Sequence, residues 1–246
     1  MKTKAFSTLF AVLCMTPFLC SCSDTSPQTS DFFAMDTFVS VTQYGGDIET
    51  VIENIKSCSE NLDMYSGTLC EANANTEIDN VQIYECSEKV ISLNDKYDDG
   101  VDITSGALTS IWGISGENPR VPTNKEIQIA IETVGKDNLI LDGEKIYKPV
   151  DTKLDFGAVA KGYACDKIYD AIKNTDVKCS IVSLGSSSLL YGNKPDGKKF
   201  SVDIRNPDGS DIPLGRLETD ECFISTSGGY ERFFQADGKK YCHILN

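Results

Sequence analysis

The stretch Leu154–Leu184, LDFGAVAKGYACDKIYDAIKNTDVKCSIVSL, carries the change of period that decides the fold. Leu154 and Asp155 read as a strand end, and Gly157 supplies a turn. A helix then runs to about Lys173. Beyond Asn174–Asp176 the apolar residues alternate, and Cys179–Leu184 reads as a half-buried strand. The period of two persists through Ser188–Gly192, Lys199–Arg205, Pro213–Glu218, Glu221–Ser225 and Gly229–Ile244. Asp196-Gly197 and Asp237-Gly238 mark hairpins, the second splitting the last stretch into two strands. No repeat and no strand–helix–strand alternation accompanies these strands. The chain is therefore expected to be α+β, with mixed or antiparallel sheets and packed helices, rather than doubly wound.

Working back toward the N-terminus, helical spacing dominates. Phe32–Tyr44 reads as a strand that ends at Gly45-Gly46. Asp47 then caps a helix whose apolar stripe is Ile48, Val51, Ile52, Ile55, Cys58 and Leu62. Gly67–Asn80 is polar and reads as a loop. A second helix covers Val81–Asn94, and Asp98-Asp99-Gly100 breaks it. Thr104 or Ser105 opens a short helix carrying Leu108 and Trp112. Pro119–Pro122 is a linker. Thr123 and Glu126 form a capping box that starts a helix through Val134. Asn138–Lys148 reads as a hairpin turning at Asp142-Gly143.

The first residues are processing sequence and stand outside the fold. Lys2 and Lys4 precede an apolar Ala5–Leu19, too short to span a bilayer comfortably. Leu19-Cys20-Ser21-Cys22 has the pattern read by bacterial lipoprotein processing, with an ordinary cleaved signal as the alternative. Residues 1–21 are thus expected to be a lipoprotein signal peptide and Cys22 the lipidated residue. Residues 22–31 read as a tether to the membrane and 32–246 as the folded domain, with the chain in the cell envelope. The formal net charge of −14 disfavours nucleic acid and anionic lipid surfaces as partners. An anionic ligand would need local help from backbone amides, a cation or a few placed Lys and Arg. Seven cysteines remain beyond the lipidated Cys22. They are odd in number and without a C-x-x-C pair, so they read as small buried apolar residues, with one or two disulfides as the alternative.

Four segments could carry chemistry. At Asp155–Asp166 a strand end meets a glycine turn and a helix start. Helix N-termini favour anions, and Lys161 stands one turn in, where it could meet a phosphate. A plain junction capped by Asp155 fits as well. At Asp98–Leu108, Asp102 lies between apolar residues and is expected to be partly buried. It would then be a ligand contact or a helix cap. Ser225–Arg232 interrupts a strand with hydroxyl residues and two glycines, which suits either close approach to a ligand or a bulge. Tyr241–Asn246 contains His243, the single histidine of the chain. One histidine excludes a multi-histidine metal site, and no nucleophile elbow accompanies it.

The order of these segments is more specific than any one of them. Met35-Asp36-Thr37 comes first, then Asp102-Ile103-Thr104 leading to Trp112-Gly113, then Asp155–Tyr163 with Asp166. Ser183-Leu184-Gly185, Gly192–Gly197, Ile204–Pro207, Thr226–Arg232 and His243-Ile244 follow. In this order they resemble the FAD:protein FMN transferase (ApbE) family over nearly all of residues 32–246. The resemblance implies a T-fold-like α+β domain that binds FAD with Mg²⁺. It implies transfer of FMN to a Thr or Ser hydroxyl of a target flavoprotein, with release of AMP. That acceptor would be a subunit of a membrane redox complex or an exported flavoprotein. By the same resemblance Met35, Gly100, Val101, Asp102, Asp155 and Lys161 line the FAD site, and Tyr65 matches, more loosely, an aromatic beside the flavin. Ala158 gives its carbonyl to Mg²⁺, and His243 orients a phosphate or assists proton transfer. Family members continue past the position of Asn246 with further strands and an Asp and a Thr or Ser that complete the metal site. The sequence as it stands is accordingly expected to lack those last strands and to bind Mg²⁺ weakly.

Overall fold

The computed structural model describes residues 26–97, 100–116 and 118–245. The signal segment, Cys22, Asp98-Asp99 and Asn246 lie outside the described residues. Among the described residues no helix is long and apolar enough to cross a membrane.

A five-stranded antiparallel sheet organises the chain. Its strands are β1 (Gln28–Ala34), β2 (Thr37–Tyr44), β6 (Cys179–Leu184), β7 (Ser187–Gly192) and β10 (Cys222–Ser225), side by side in that order. Alternation gives the sheet two apolar faces. Val39, Val41, Val182, Leu184 and Leu189 point into the main core. There they meet α1 (Glu49–Leu62) and α6 (Ala160–Ile172), which pack against each other. Val51, Ile52, Ile55, Cys58 and Leu62 of α1 are buried, the stripe its helical spacing dictates. The opposite face carries Cys179 and Leu190. It is covered by Phe200 of β8 (Phe200–Ile204), which pairs with β9 (Gly215–Thr219).

Between the first and second halves of this sheet the chain makes its helical excursion. This comprises α2 (Gly67–Ala72), β3 (Glu77–Ile78), α3 (Val81–Tyr97), α4 (Gly106–Trp112) and α5 (Asn124–Ile131). A 3-10 turn at Lys136–Asn138 and the β4 (Ile140–Asp142)–β5 (Lys145–Tyr147) hairpin complete it. Strands β3, β5 and β4 form a small sheet. The capping box at Thr123 is present: its hydroxyl accepts from the Glu126 N–H, and Glu126 reaches back to the Thr123 N–H. β11 (Phe233–Ala236) and β12 (Lys239–Cys242) form the hairpin at Asp237-Gly238.

Several expectations need correction. The tether reading fails from Gln28 onward, because Gln28–Asp31 pair with Ser40–Gln43 as the first half of β1. A polar, Ser/Thr-rich stretch looks like linker, but on an edge strand it is satisfied by backbone pairing on one side. Phe32–Tyr44 holds parts of two strands rather than one. Met35 and Asp36 form a two-residue turn with φ of 52° and 53°, the left-handed pair such a tight hairpin requires. Gly67–Asn80 is not all loop, since it contains α2 and β3. Cys58, Cys86, Cys165 and Cys179 are buried as expected, but Cys70 is exposed.

Candidate functional site

The site grows from the turn between Leu154 and α6. Leu154 and Phe156 are fully buried and fix the backbone on either side of Asp155. The Phe156 carbonyl accepts from both the Val159 and the Ala160 N–H, which starts the helix. The Asp155 carboxylate accepts from the Gly157 N–H at 2.8 Å and so shapes the turn; it does not cap α6, whose N-cap is Val159 with no side-chain cap bond. Gly157 and Ala158 stay exposed, and Lys161 follows as the second residue of α6, half-buried. Burial, and then the like charge of Arg232, hold the Lys161 ammonium below the usual lysine range, against the opposing pull of Asp36 and Glu231.

Arg232 is the residue that joins the ends of the chain. Its guanidinium donates to the Asp36 carbonyl at 2.9 Å and pairs with the Asp36 carboxylate at 2.7 Å. The Met35–Asp36 turn is thereby tied to the segment before β11. The Met35 N–H donates to the Ser59 hydroxyl on α1 at 2.8 Å, a second tie on the same turn. Tyr65 stands where α1 gives way to α2. Asp63 shapes that corner by accepting from the Tyr65 N–H and the Ser66 hydroxyl. The Tyr65 hydroxyl is pushed up to about 12, by burial first and then by the carboxylates of Asp155 and Asp63. Met35 and Tyr65, far in sequence from Asp155 and Lys161, are in this way brought toward one turn, with Asp36 and Arg232 close by.

The loop carrying Gly100, Val101 and Asp102 joins through its backbone. The Asp155 N–H donates to the Ile103 carbonyl at 2.8 Å, and the Gly106 N–H to the Lys153 carbonyl at 2.9 Å. Asn94 of α3 brackets Val101 by bonding to its N–H and its carbonyl. Asp102 is exposed, which corrects the expectation of partial burial. Its neighbours Val101 and Ile103 turn inward while its carboxylate accepts from the Thr104 N–H and hydroxyl, a local turn and not the cap of α4. Gly100 stands in open space. His243 reaches the cluster indirectly: its backbone N–H donates to the Arg232 carbonyl, and its Nδ1 lies 3.3 Å from that same oxygen. It lines a small cavity with Trp112, whose ring is 5.4 Å from Tyr241.

Sequence reasoning missed two supports. Asn73, at the end of α2, is buried and bonds both polar groups of Leu154 with its side-chain amide: Nδ2 donates to the carbonyl at 2.9 Å, and Oδ1 accepts the N–H at 2.8 Å. Arg232 and Asp36 each lay within a motif that stood out, but nothing in the sequence paired them. A separate cleft of about 420 Å³ is lined by Ile91, Asp95, Lys136, Asp137, Leu139 and Leu141, none of which belongs to this cluster.

The cluster can hold a phosphate ester. It offers two cations, a helix start and a partly exposed aromatic residue near a turn that is open to solvent. It does not fit Mg²⁺ on its own. Among the described residues no group of three or more His, Cys, Asp or Glu could hold a metal ion. The single neutral oxygen of Ala158 is far from the six oxygen ligands such an ion takes.

Similarity to known proteins extends over most of the chain. The ApbE family model matches residues 35–246. A FAD:protein FMN transferase of Vibrio cholerae is 28% identical over 163 residues, covering 65% of this chain and 49% of the relative. One of Treponema pallidum is 27% identical over 181 residues, covering 67% and 50%. The chain thus spans about half the length of the curated relatives it matches. Among solved structures, the apo flavinyl transferase ApbE of Pseudomonas stutzeri superposes with a TM-score of 0.73 at 26% identity, covering 89% of this chain and 74% of that one. The ApbE protein of Thermotoga maritima superposes at 0.78 with 24% identity, covering 89% and 76%, a likeness that concerns the fold.

Proposed function

The chain belongs to the ApbE family, and on that premise we propose that it transfers FMN from FAD to a Thr or Ser hydroxyl of an acceptor flavoprotein, releasing AMP. One observation carries this reading: the Met35–Asp36 turn, bonded by Arg232, and Tyr65 stand electrostatically close to the turn that carries Asp155 and opens α6 with Lys161. In the proposed step the acceptor oxygen attacks the flavin-side phosphorus of FAD. A new P–O ester bond forms, the anhydride P–O bond breaks, and AMP leaves with the bonding electrons. Lys161 and Arg232 face the charge that collects on the phosphate oxygens, which is where fixed cations accelerate such transfers. The Tyr65 ring, nearly half exposed, offers a face for the isoalloxazine. If His243 donates from Nδ1 to the Arg232 carbonyl, Nε2 is left as the acceptor for the hydroxyl proton.

The relatives' names supply the reaction, and the cation belongs to this reading only through Ala158. Because the described residues do not make a Mg²⁺ site, no step is derived through one. The acceptor belongs to the same proposal, as a subunit of a membrane redox complex or an exported flavoprotein. So does placement in the cell envelope through a lipid on Cys22. The test is intact-mass spectrometry of a flavoprotein acceptor domain incubated with the protein, FAD and Mg²⁺. A gain of one FMN mass on a Thr or Ser is expected. A folded, FAD-bound protein that leaves the acceptor unmodified would overturn the transfer and leave FAD binding alone.

A further inference from the structure

We propose that Asn73 is a positioning residue for the nucleotide turn: its side-chain amide acts as a strand partner for Leu154 and so sets where Asp155 and the amides after it stand. The inference rests on the flavin-nucleotide reading of that turn and deepens it.

Residues 153–155 run as an extended segment between two neighbours. On one side the backbone of residues 103–106 pairs with it, through the Ile103 carbonyl and the Gly106 N–H. Among the described residues no strand lies on the other side to take the Leu154 N–H and carbonyl, which are directed into a buried region. The Asn73 amide takes both, at 2.8 and 2.9 Å, and it does so from 81 residues away. Only Asn or Gln can present a donor and an acceptor side by side in this way. A buried backbone pair left without partners costs more than the bond itself returns. Asn73 is in turn held from behind. The ammonium of Lys148, itself 5% exposed, donates to the Asn73 carbonyl at 3.3 Å and the Asn75 carbonyl at 2.8 Å, securing the end of α2.

Position is what this arrangement controls. Asp155 is the next residue after the clamped one, and Gly157, Ala158 and Lys161 follow through the Asp155–Gly157 bond and the first turn of α6. A shift of the Leu154 backbone therefore moves the carboxylate facing Tyr65 and the helix start together. Misplacements of about 1 Å in such settings are known to weaken function by orders of magnitude. Asn73 itself touches no part of the turn beyond Leu154 in the contacts described, so it acts through the backbone and not on the ligand.

The experiment uses the full chain with two variants, Asn73→Ala and Val90→Ala. The second removes buried core volume from α3 and serves as a stability control. FAD dissociation constants come from quenching of flavin fluorescence, and amide hydrogen exchange is followed at Leu154, Asp155 and in β6. Asn73→Ala is expected to speed exchange at Leu154 and Asp155 while β6 stays protected, and to weaken FAD binding about tenfold or more. Val90→Ala should lower the melting temperature yet bind FAD as the parent does. Should Asn73→Ala prove insoluble, Asn73→Ser is read by the same two measurements. Parent-like affinity in the Asn73 variant, or equal loss of affinity in the Val90 control, overturns the inference. A parent protein that binds no FAD, while the exchange result holds, overturns the flavin reading instead and with it the functional part of this one.

Discussion

Replacing Lys161 with methionine separates a binding cation from a structural one. Methionine keeps an unbranched stem of similar length, so the packing at the start of α6 changes little. In the ligand-free protein the Lys161 ammonium is disfavoured by burial and by Arg232, with Asp36 and Glu231 offsetting part of that cost. Removing the charge should leave the melting temperature unchanged or slightly raised. With FAD bound, the same ammonium would meet a phosphate. A hydrogen bond to a charged group contributes about 1.5–3 kcal/mol, so affinity should fall by about 10- to 150-fold. Because Asp36 and Glu231 compete for the cation, the lower end of that range is expected. The pH dependence has a definite sign. FAD binding needs the protonated lysine, so affinity falls as pH rises through the Lys161 pKa. That pKa lies below the ordinary 10.5, so the loss begins earlier than for an exposed lysine. The methionine variant should lack this alkaline step. Fluorescence titrations with FAD from neutral to alkaline pH, alongside thermal melts, provide the measurement. Affinity within twofold of the parent would refute the assignment. So would a parallel drop in melting temperature and affinity, which would make Lys161 a structural residue.

Gly185→Ala should destabilise the β6–β7 hairpin by about 1–3 kcal/mol. Gly185 has φ of +67°, and a Cβ there would stand 2.3 Å from the Thr37 hydroxyl; an unchanged chemical denaturation midpoint would contradict that turn. Thr123→Ala removes the hydroxyl half of the α5 capping box and should cost about 1 kcal/mol, seen as a small drop in thermal midpoint. Glu126 is held down to about 2 by its bonds to Arg120 and then Thr123. A carboxylate with a depressed folded pKa contributes stability above its ordinary 4.5 and loses that contribution as pH falls through about 2. The difference in melting temperature between the parent and Glu126→Gln should therefore shrink across that interval, and a constant difference would rule out this role for the carboxylate.

What could be read in the sequence follows from the range of the interaction that fixes each feature. Cys179–Leu184, the α1 stripe, the Thr123 capping box and the Asp142-Gly143 hairpin are governed by neighbours within a few residues. The first three appear where periodicity or cap chemistry puts them, and the hairpin turns one residue later, at Gly143-Glu144. The Met35–Asp36 turn is just as local, yet it escaped because two non-glycine residues occupy positive φ there. That conformation carries a steric cost and has to be held from outside. Arg232 and Ser59 do the holding, and both are distant in sequence. Asp102 failed in the opposite sense. Its apolar flanks suggested burial, but in an extended stretch neighbours and centre face opposite ways, so buried flanks imply an exposed Asp102.

The candidate site divides along the same line. Asp155, Gly157 and Lys161 belong to one turn and carry their signature in order along the chain. Their usefulness, however, depends on residues that supply no local pattern of their own. Asn73 looks like an ordinary polar residue in a polar stretch, and only its partner makes it a clamp. Arg232 looks like an exposed strand-end charge until Asp36 is set beside it. An exposed ion pair of this kind stabilises little in its own right, so the value of the Arg232–Asp36 contact is geometric. It joins the first hairpin of the chain to the segment before β11, and it keeps a guanidinium near Lys161 in spite of their repulsion. Two like charges held close without a ligand are a cost to the folded chain, and an anion with two or more negative oxygens would relieve it. Such relief supports the phosphate-bearing ligand of the proposed function.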